Sequence, residues 1–230
     1  MTIISQNLIR SGVRVAFVVL VATGLSGCFD LSQNVAIGRD GSGSYDTSIT
    51  AGGIIGEALR DKKSNTDLVG DNRAVTTMRE TNGIVTQTSV AQFKSLSDLR
   101  FGDQSISVSV RGHSLMGTNL TFRRAFHVDR ARAEHAPDDN EMSPMGRSIA
   151  QSILGDHTYV FSVTLPGSID RIAPIVIAGQ TVQPQVTGDF FSHTVTWRMP
   201  LYMMVAAHAL VFEVDFSAYG WFDNVETRRG

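Results

Sequence analysis

From Ser105 to Val110 the chain reads SISVSV, with Ile106, Val108 and Val110 separated by serines. Strict alternation puts every apolar side chain on one face of an extended strand, whereas on a helix the same residues would scatter around the axis. The parity rule returns near the other end, where Leu210, Phe212, Val214 and Phe216 occupy alternate positions. Between such runs stand Asp40-Gly41 and Asn82-Gly83, residue pairs that accept the left-handed backbone of a tight hairpin turn. The chain is therefore committed to strands that return on themselves.

Two units repeat the order strand, turn, strand, helix. In the first, LSQNVAIGRDGSGSYDTSITAG flanks Asp40-Gly41, and GGIIGEALRDKK follows with Ile54, Ile55, Ala58 and Leu59 on one helical face. In the second, a strand near 74–79 and another near 84–89 flank Asn82-Gly83, with a short helix predicted around Phe93 to Leu99. SISVSVRGHSLMGTNLTFRRAFHV predicts a third hairpin. The segments HTYVFSVTLPG, FFSHTVTWRMP and AHALVFEVDFSA read as further strands, and Met145 to Leu154 as a helix with Ser143 as N-cap and Pro144 at the first position. The polar stretch Asp129 to Pro144 has no period and reads as an exposed loop. The expected fold class is α+β: a predominantly antiparallel sheet built from hairpins, with a few short helices packed on one face. Among 230 residues, 42% are hydrophobic and 18% charged, which suits a β-rich globular domain.

The first 27 residues differ from the rest. Arg10 and Arg14 stand without an acidic companion, and Val15 to Thr23 then supplies a short apolar run. A positive segment followed by 7 to 15 apolar residues is the pattern of a secretory signal, and it falls short of the ~20 apolar residues a transmembrane helix needs. The only cysteine follows directly, in Leu25-Ser26-Gly27-Cys28. These four residues resemble the lipobox of bacterial lipoproteins. The resemblance implies cleavage between Gly27 and Cys28, a diacylglyceryl group on the Cys28 sulfur, and often a further acyl chain such as palmitate on the new amino terminus. Residues 1–27 are thus the expected signal peptide, 28–222 the mature domain with a possible internal boundary at 129–144, and 223–230 a frayed tail. Phe29, rather than Asp, follows the cysteine; by analogy with Gram-negative lipoproteins this favours the outer membrane over the inner, facing the periplasm.

Several features taken together extend the resemblance: the lipobox Cys28, a first strand ending in Asp40-Gly41-Ser42-Gly43, the FKSLSDL segment from Phe93 to Leu99, and Leu165-Pro166-Gly167 with Trp197. In this order they are similar to bacterial lipoproteins of the LppM type. That resemblance implies an α/β domain exposed at the envelope and contact with envelope lipids or glycolipids. The chain departs from the mycobacterial pattern in lacking a C-terminal transmembrane helix, since Leu201 to Phe212 is only twelve residues and contains His208.

Residues that could carry chemistry are scattered. No GxSxG, P-loop or HExxH occurs, and the glycines of GRDGSG, Gly38 to Gly43, are accounted for by the hairpin turn. The six histidines, 113, 127, 135, 157, 193 and 208, include no pair at helical spacing. His127, Asp129, His135, Asp138 and Asp139 are close enough in sequence to bind a metal, yet a charge-rich loop is ordinarily solvated surface. Arg123 and Arg124 should project to opposite faces of a strand, one of them towards water or an acidic lipid headgroup. His208 shares parity with Leu210 and should point inward, and Tyr202, Met203 and Met204 suit core packing or a flexible apolar groove. With 20 basic against 22 acidic residues, nothing marks a nucleic-acid binder. A single cysteine excludes an intramolecular disulfide framework and any CxxC site.

The expected function is that of a membrane-anchored, non-enzymatic envelope lipoprotein, without cofactor or metal, binding lipid or glycolipid. Two alternatives stand beside it: an assembly or scaffold lipoprotein acting through protein contacts, and an envelope hydrolase with an unrecognised constellation.

Overall fold

The computed structural model describes residues 29–61, 68–69, 72–95, 105–114, 117–127, 148, 150–152, 154–177, 179–207 and 209–219. The strands run in chain order as β1 (Phe29–Ile37), β2 (Gly43–Ala51), β3 (Leu68–Val69), β4 (Asn72–Arg73), β5 (Val75–Thr81), β6 (Ile84–Phe93), β7 (Ser105–Ser114), β8 (Gly117–His127), β9 (Thr158–Pro166), β10 (Ser168–Ile172), β11 (Ile175–Ile177), β12 (Gln180–Val182), β13 (Gln185–Gly188), β14 (Ser192–Pro200) and β15 (Ala209–Tyr219). Helix α1 (Gly53–Asp61) follows β2, and α2 (Leu201–Ala206) joins β14 to β15. The expected sheet-dominated α+β class holds.

Two large sheets pack face to face, where the sequence suggested one sheet covered by helices. The first has the order β13-β14-β9-β1-β2-β6-β5 and the second β10-β15-β8-β7. Most neighbours are antiparallel. The exception is β1 with β9, which pair in parallel from Leu31 with Tyr159 to Ala36 with Thr164. Because a parallel pair needs a long crossover, the two strands lie on either side of the 129–144 stretch. The second sheet likewise joins β8 to β15, with Phe122 opposite Val214.

Alternation explains which faces meet. Tyr159, Phe161, Val163 and Leu165 of β9 and Val195, Trp197 and Met199 of β14 are buried on one side; Leu120 and Phe122 of β8 and Leu210, Phe212, Val214 and Phe216 of β15 are buried on the other. On the outer face of β9 and β14, Thr164 with Thr194 and Ser162 with Thr196 hydrogen-bond across strands at 2.9 and 3.0 Å. At the centre Phe161 and Phe212 approach to 4.5 Å between ring centroids, with Trp197 5.0 Å from Phe212. The sandwich is solid there. Leu201 and Met203 of α2 are buried and Tyr202 and Met204 half-buried against this core, which resolves the YMM segment as packing.

The chain changes sheets at Gly167. Its φ is +88° and a Cβ would collide with the Ser217 carbonyl oxygen, so only glycine fits between β9 and β10.

Three expectations need correction. On α1, Ile55 and Ala58 are exposed and Leu59 is half-buried, while Gly56 is buried and its absent side chain lets the helix approach the Ala51 carbonyl; the Ile54 side chain lies outside the described residues. The helix expected from Phe93 does not begin there: β6 runs through Phe93, which pairs with Gly43 and occupies the space a side chain at Gly43 would need. Phe190 and Phe191, read as the start of a strand, form the turn before β14. Of the helix expected over 145–154, positions 148, 150–152 and 154 are helical. The 129–144 loop and the 223–230 tail lie outside the described residues.

Candidate functional site

Gly27 and Cys28, the residues assigned to cleavage and lipidation, lie outside the described residues. Phe29 is the first position described, and it is already part of a sheet, opposite Ala51. Its backbone N–H donates to His157 Nδ1 at 2.9 Å, and its ring meets the imidazole edge-on at 6.5 Å. One residue later, the Thr158 N–H donates to Asp30 Oδ1 at 2.8 Å. The start of β1 is thus stitched to the start of β9. No spacer separates position 28 from the folded sheet.

The least expected group is Arg124. Alternation in β8 puts it on the inner face with Leu120, Phe122 and Phe126, opposite Phe212, and it is 0% exposed. The sequence reading placed one of Arg123 and Arg124 towards water or a headgroup; Arg123 is exposed, while Arg124 enters the core. Its Nη2 donates to Gln33 Oε1 at 2.8 Å, and the same oxygen accepts the Tyr159 hydroxyl at 2.9 Å. The guanidinium carbon stands 4.2 Å from the Phe126 ring centroid, 4.8 Å from Phe161 and 5.5 Å from Tyr45. Ring faces are negative, so three of them around a weakly hydrated guanidinium offset part of its desolvation. Burial pushes the Tyr159 phenol far above its ordinary range, against the opposing pull of the Arg124 charge. It is a neutral donor at any physiological pH. This cluster can hold a cation and fix the register of β1 against β8; it brings no nucleophile next to a base. The sequence signal for the buried arginine is the parity that Arg124 shares with Leu120, Phe122 and Phe126.

A second polar cluster covers the outer face of the smaller sheet. Arg171 Nε donates to Asp215 Oδ2 at 2.8 Å and its Nη2 to Glu213 Oε1 at 2.9 Å; Thr121 Oγ1 donates to Asp215 Oδ1 at 2.6 Å. Arg111 bridges Asp170 at 3.0 Å and Asp215 at 3.5 Å. Burial alone would raise the Asp215 carboxyl, but the hydrogen bonds from Thr121 and Arg171, with the Arg111 charge, hold it below the ordinary carboxylate value.

The histidines do not converge. His193 Nδ1 lies 2.6 Å from the Gly167 carbonyl oxygen and His113 Nδ1 3.4 Å from Thr118 Oγ1, while His157 serves Phe29. Among the described residues no group of three His, Cys, Asp or Glu side chains could hold a metal ion. The side chains of His127 and His208, and residues 129–139, lie outside the described set. No described helix is long and apolar enough to cross a membrane.

No family model matches the chain, and no curated protein does. Among solved structures, the chain is similar to the folded domain of LppM from Mycobacterium tuberculosis, determined by NMR. The identity is 11%, with 84% of this chain and 91% of that one covered at a TM-score of 0.42.

Proposed function

We propose that the protein is a membrane-anchored lipoprotein of the bacterial envelope, lipidated at Cys28, which acts by binding rather than by catalysis. The observation that carries this reading is the order of the N-terminal features. Arg10 and Arg14, the apolar run from Val15 and the Leu25-Ser26-Gly27-Cys28 box occur in the sequence an export signal requires, and Phe29, one residue on, already pairs in β1. Two or three acyl chains at Cys28 anchor stably where one is marginal. The domain then sits directly on the bilayer with its outward faces turned to the periplasm, in the outer membrane.

Lipid or glycolipid contact, in this reading, takes place on the surface. The centre of the sandwich is filled by Phe161, Trp197 and Phe212, and its polar groups Gln33, Tyr159 and Arg124 bond to one another. Labelling with radioactive palmitate and membrane fractionation of the Cys28→Ser variant test the anchor. The expected result is loss of both the label and membrane retention by the mature form, with the fold intact. Retention of label by the variant refutes the assignment.

A further inference from the structure

The end of the molecule opposite Phe29 carries two adjacent exposed phenyl rings. Phe190 and Phe191 are 67% and 60% exposed, and they sit on the turn between β13 and β14. Direction follows from register: Phe29 opens β1, whereas Ser192 pairs with Pro166 at the far end of β9, which runs parallel to β1. Nine strand residues at ~3.3 Å each separate the two ends by roughly 30 Å.

The turn is built, not slack. Asp189 Oδ1 accepts the N–H groups of Phe191 and Ser192 at 2.8 and 3.1 Å, and the Asp189 N–H donates to the Ser192 carbonyl at 3.0 Å. Gly167 N–H donates to the Phe191 carbonyl at 2.8 Å. Gly188 has φ +139°, and a Cβ there would collide with the Ser192 carbonyl oxygen. Phe190 stacks on Tyr219 with centroids 5.2 Å apart and planes at 15°, and Phe191 meets Phe190 edge-on at 5.4 Å. The Arg39 guanidinium, from the β1–β2 turn, lies 5.5 Å from the Phe191 ring centroid.

We infer that this tip is a wedge that inserts Phe190 and Phe191 into the interfacial layer of a zwitterionic phospholipid bilayer. Three observations favour that occupant. At ~200 Å² per ring the pair, 67% and 60% exposed, presents roughly 250 Å², well short of the ~800 Å² per side of a stable protein interface. The amides of Phe191 and Ser192 and the Phe191 carbonyl are bonded within the protein, so entry into a region poor in water leaves none of them orphaned. Arg39 and Tyr219 pair an apolar body with a polar end, the kind of side chain that settles at headgroup level. Asp40 and Asp189 stand at the same end, and hydrogen bonds from Ser42 to the first, and from Phe191 and Ser192 to the second, hold both carboxyls below their ordinary values. A tip with two carboxylates and one guanidinium has no attraction to an anionic surface, so insertion is driven by the rings. The lipid affinity of the tip is independent of the Cys28 anchor; only its direction, away from the anchoring bilayer, rests on that reading.

The test uses the full chain isolated from membranes and reconstituted into phosphatidylcholine vesicles bearing one dye. These are mixed with protein-free phosphatidylcholine vesicles bearing another. Capture of the second population is expected, unchanged between roughly 0.1 and 1 M salt because screening leaves apolar insertion intact. Phe190→Ser and Phe191→Ser are each expected to weaken capture about ten-fold, and the double variant to abolish it while melting as the parent does. If the protein does not remain in the donor vesicles on flotation, the anchor reading fails, and direct flotation on protein-free vesicles then tests the tip. Capture by the double variant equal to the parent, capture abolished by salt, or binding to glycan or protein with none to vesicles overturns the wedge.

Discussion

Replacing Phe212 with alanine is the sharpest test of the two-sheet architecture. The ring is fully buried and stands where the sheets meet, with Phe161 at 4.5 Å, Trp197 at 5.0 Å, Phe126 at 5.9 Å and Tyr159 at 6.4 Å between centroids. Truncating a buried phenylalanine costs roughly 3–5 kcal/mol, part of it lost transfer energy and part the cavity left behind. Each aromatic pair adds about 0.5–1.5 kcal/mol beyond area, and these neighbours belong to two rigid sheets that cannot collapse independently. The upper end, about 5 kcal/mol, is therefore expected. Domains are stable by only ~5–15 kcal/mol, so the variant should be marginal. At about 2–4 °C per kcal/mol for a chain of this size, the melting temperature falls by roughly 10–20 °C. Urea unfolding followed by tryptophan fluorescence measures it, with Phe190→Ala, expected to change stability by less than about 1 kcal/mol, as the control for residue type. A loss below about 2 kcal/mol for Phe212→Ala would refute the claim that this ring joins the sheets.

Other outcomes follow from particular groups. Gly167→Ala should destabilise by more than the ~1–2 kcal/mol of a left-handed non-glycine residue, because its Cβ also meets the Ser217 carbonyl; calorimetry checks this. Asp215 has a folded pKa below the unperturbed 3.8, so its contribution to stability is present above that value and is lost as pH falls through the folded pKa. Asp215→Asn should accordingly lower stability at neutral pH and flatten the acid limb of the stability curve, as read by urea midpoints from pH 7 downward. Trp197 Nε1 is buried without a hydrogen-bond partner among the described residues, so Trp197→Phe, which removes that donor along with ring volume, should cost less than Trp197→Ala, for which ~3–5 kcal/mol is expected. His157→Ala should speed amide exchange at Phe29 with little change in global stability, because it removes the acceptor for that N–H and one edge-on ring contact at the end of β1.

Local geometry was the legible part of the fold. The Asp40-Gly41 and Asn82-Gly83 turns are where the sequence puts them, with Gly41 at φ +77°, Asn82 at +52° and Gly83 at +76°, and the alternation of β15 became the inner face of a sheet. Pairing between distant strands was not legible. Nothing in Leu31 to Ala36 specifies a parallel partner 128 residues later, since parity tells which face is buried but not which strand lies alongside. Ile55 and Ala58 of α1 are exposed because a helix beside a strand end is positioned by the closest backbone approach, at Gly56, and not by its largest side chains. Parity put Arg123 and Arg124 on opposite faces, as the structure has them, but left open which of the two is buried; that is decided by the Phe161 and Tyr45 rings and Gln33, contributed by other strands. The lipobox resemblance of Leu25-Ser26-Gly27-Cys28 is local to four residues, so it is visible in the sequence alone, whereas the Phe190-Phe191 turn shows its exposure only when the strands on either side are in place.

The missing spacer between position 28 and β1 carries a consequence for the order of events in biogenesis. β1 is an interior strand, held by β2 on one side and β9 on the other, and its first amide is closed by His157. A peptidase needs an extended stretch on each side of the bond it cuts, and the residues just beyond Gly27–Cys28 are the ones the sheet claims. Under the proposed lipidation of Cys28, cleavage is expected before β9 docks, so that the signal peptidase and the sheet compete in time for Phe29 and Asp30. Variants that weaken β9, such as Phe161→Ala, should then be processed faster in a pulse-chase experiment, and an accelerated fold should accumulate uncut precursor. Equal processing rates across such a series would show that the strand end opens freely to the enzyme.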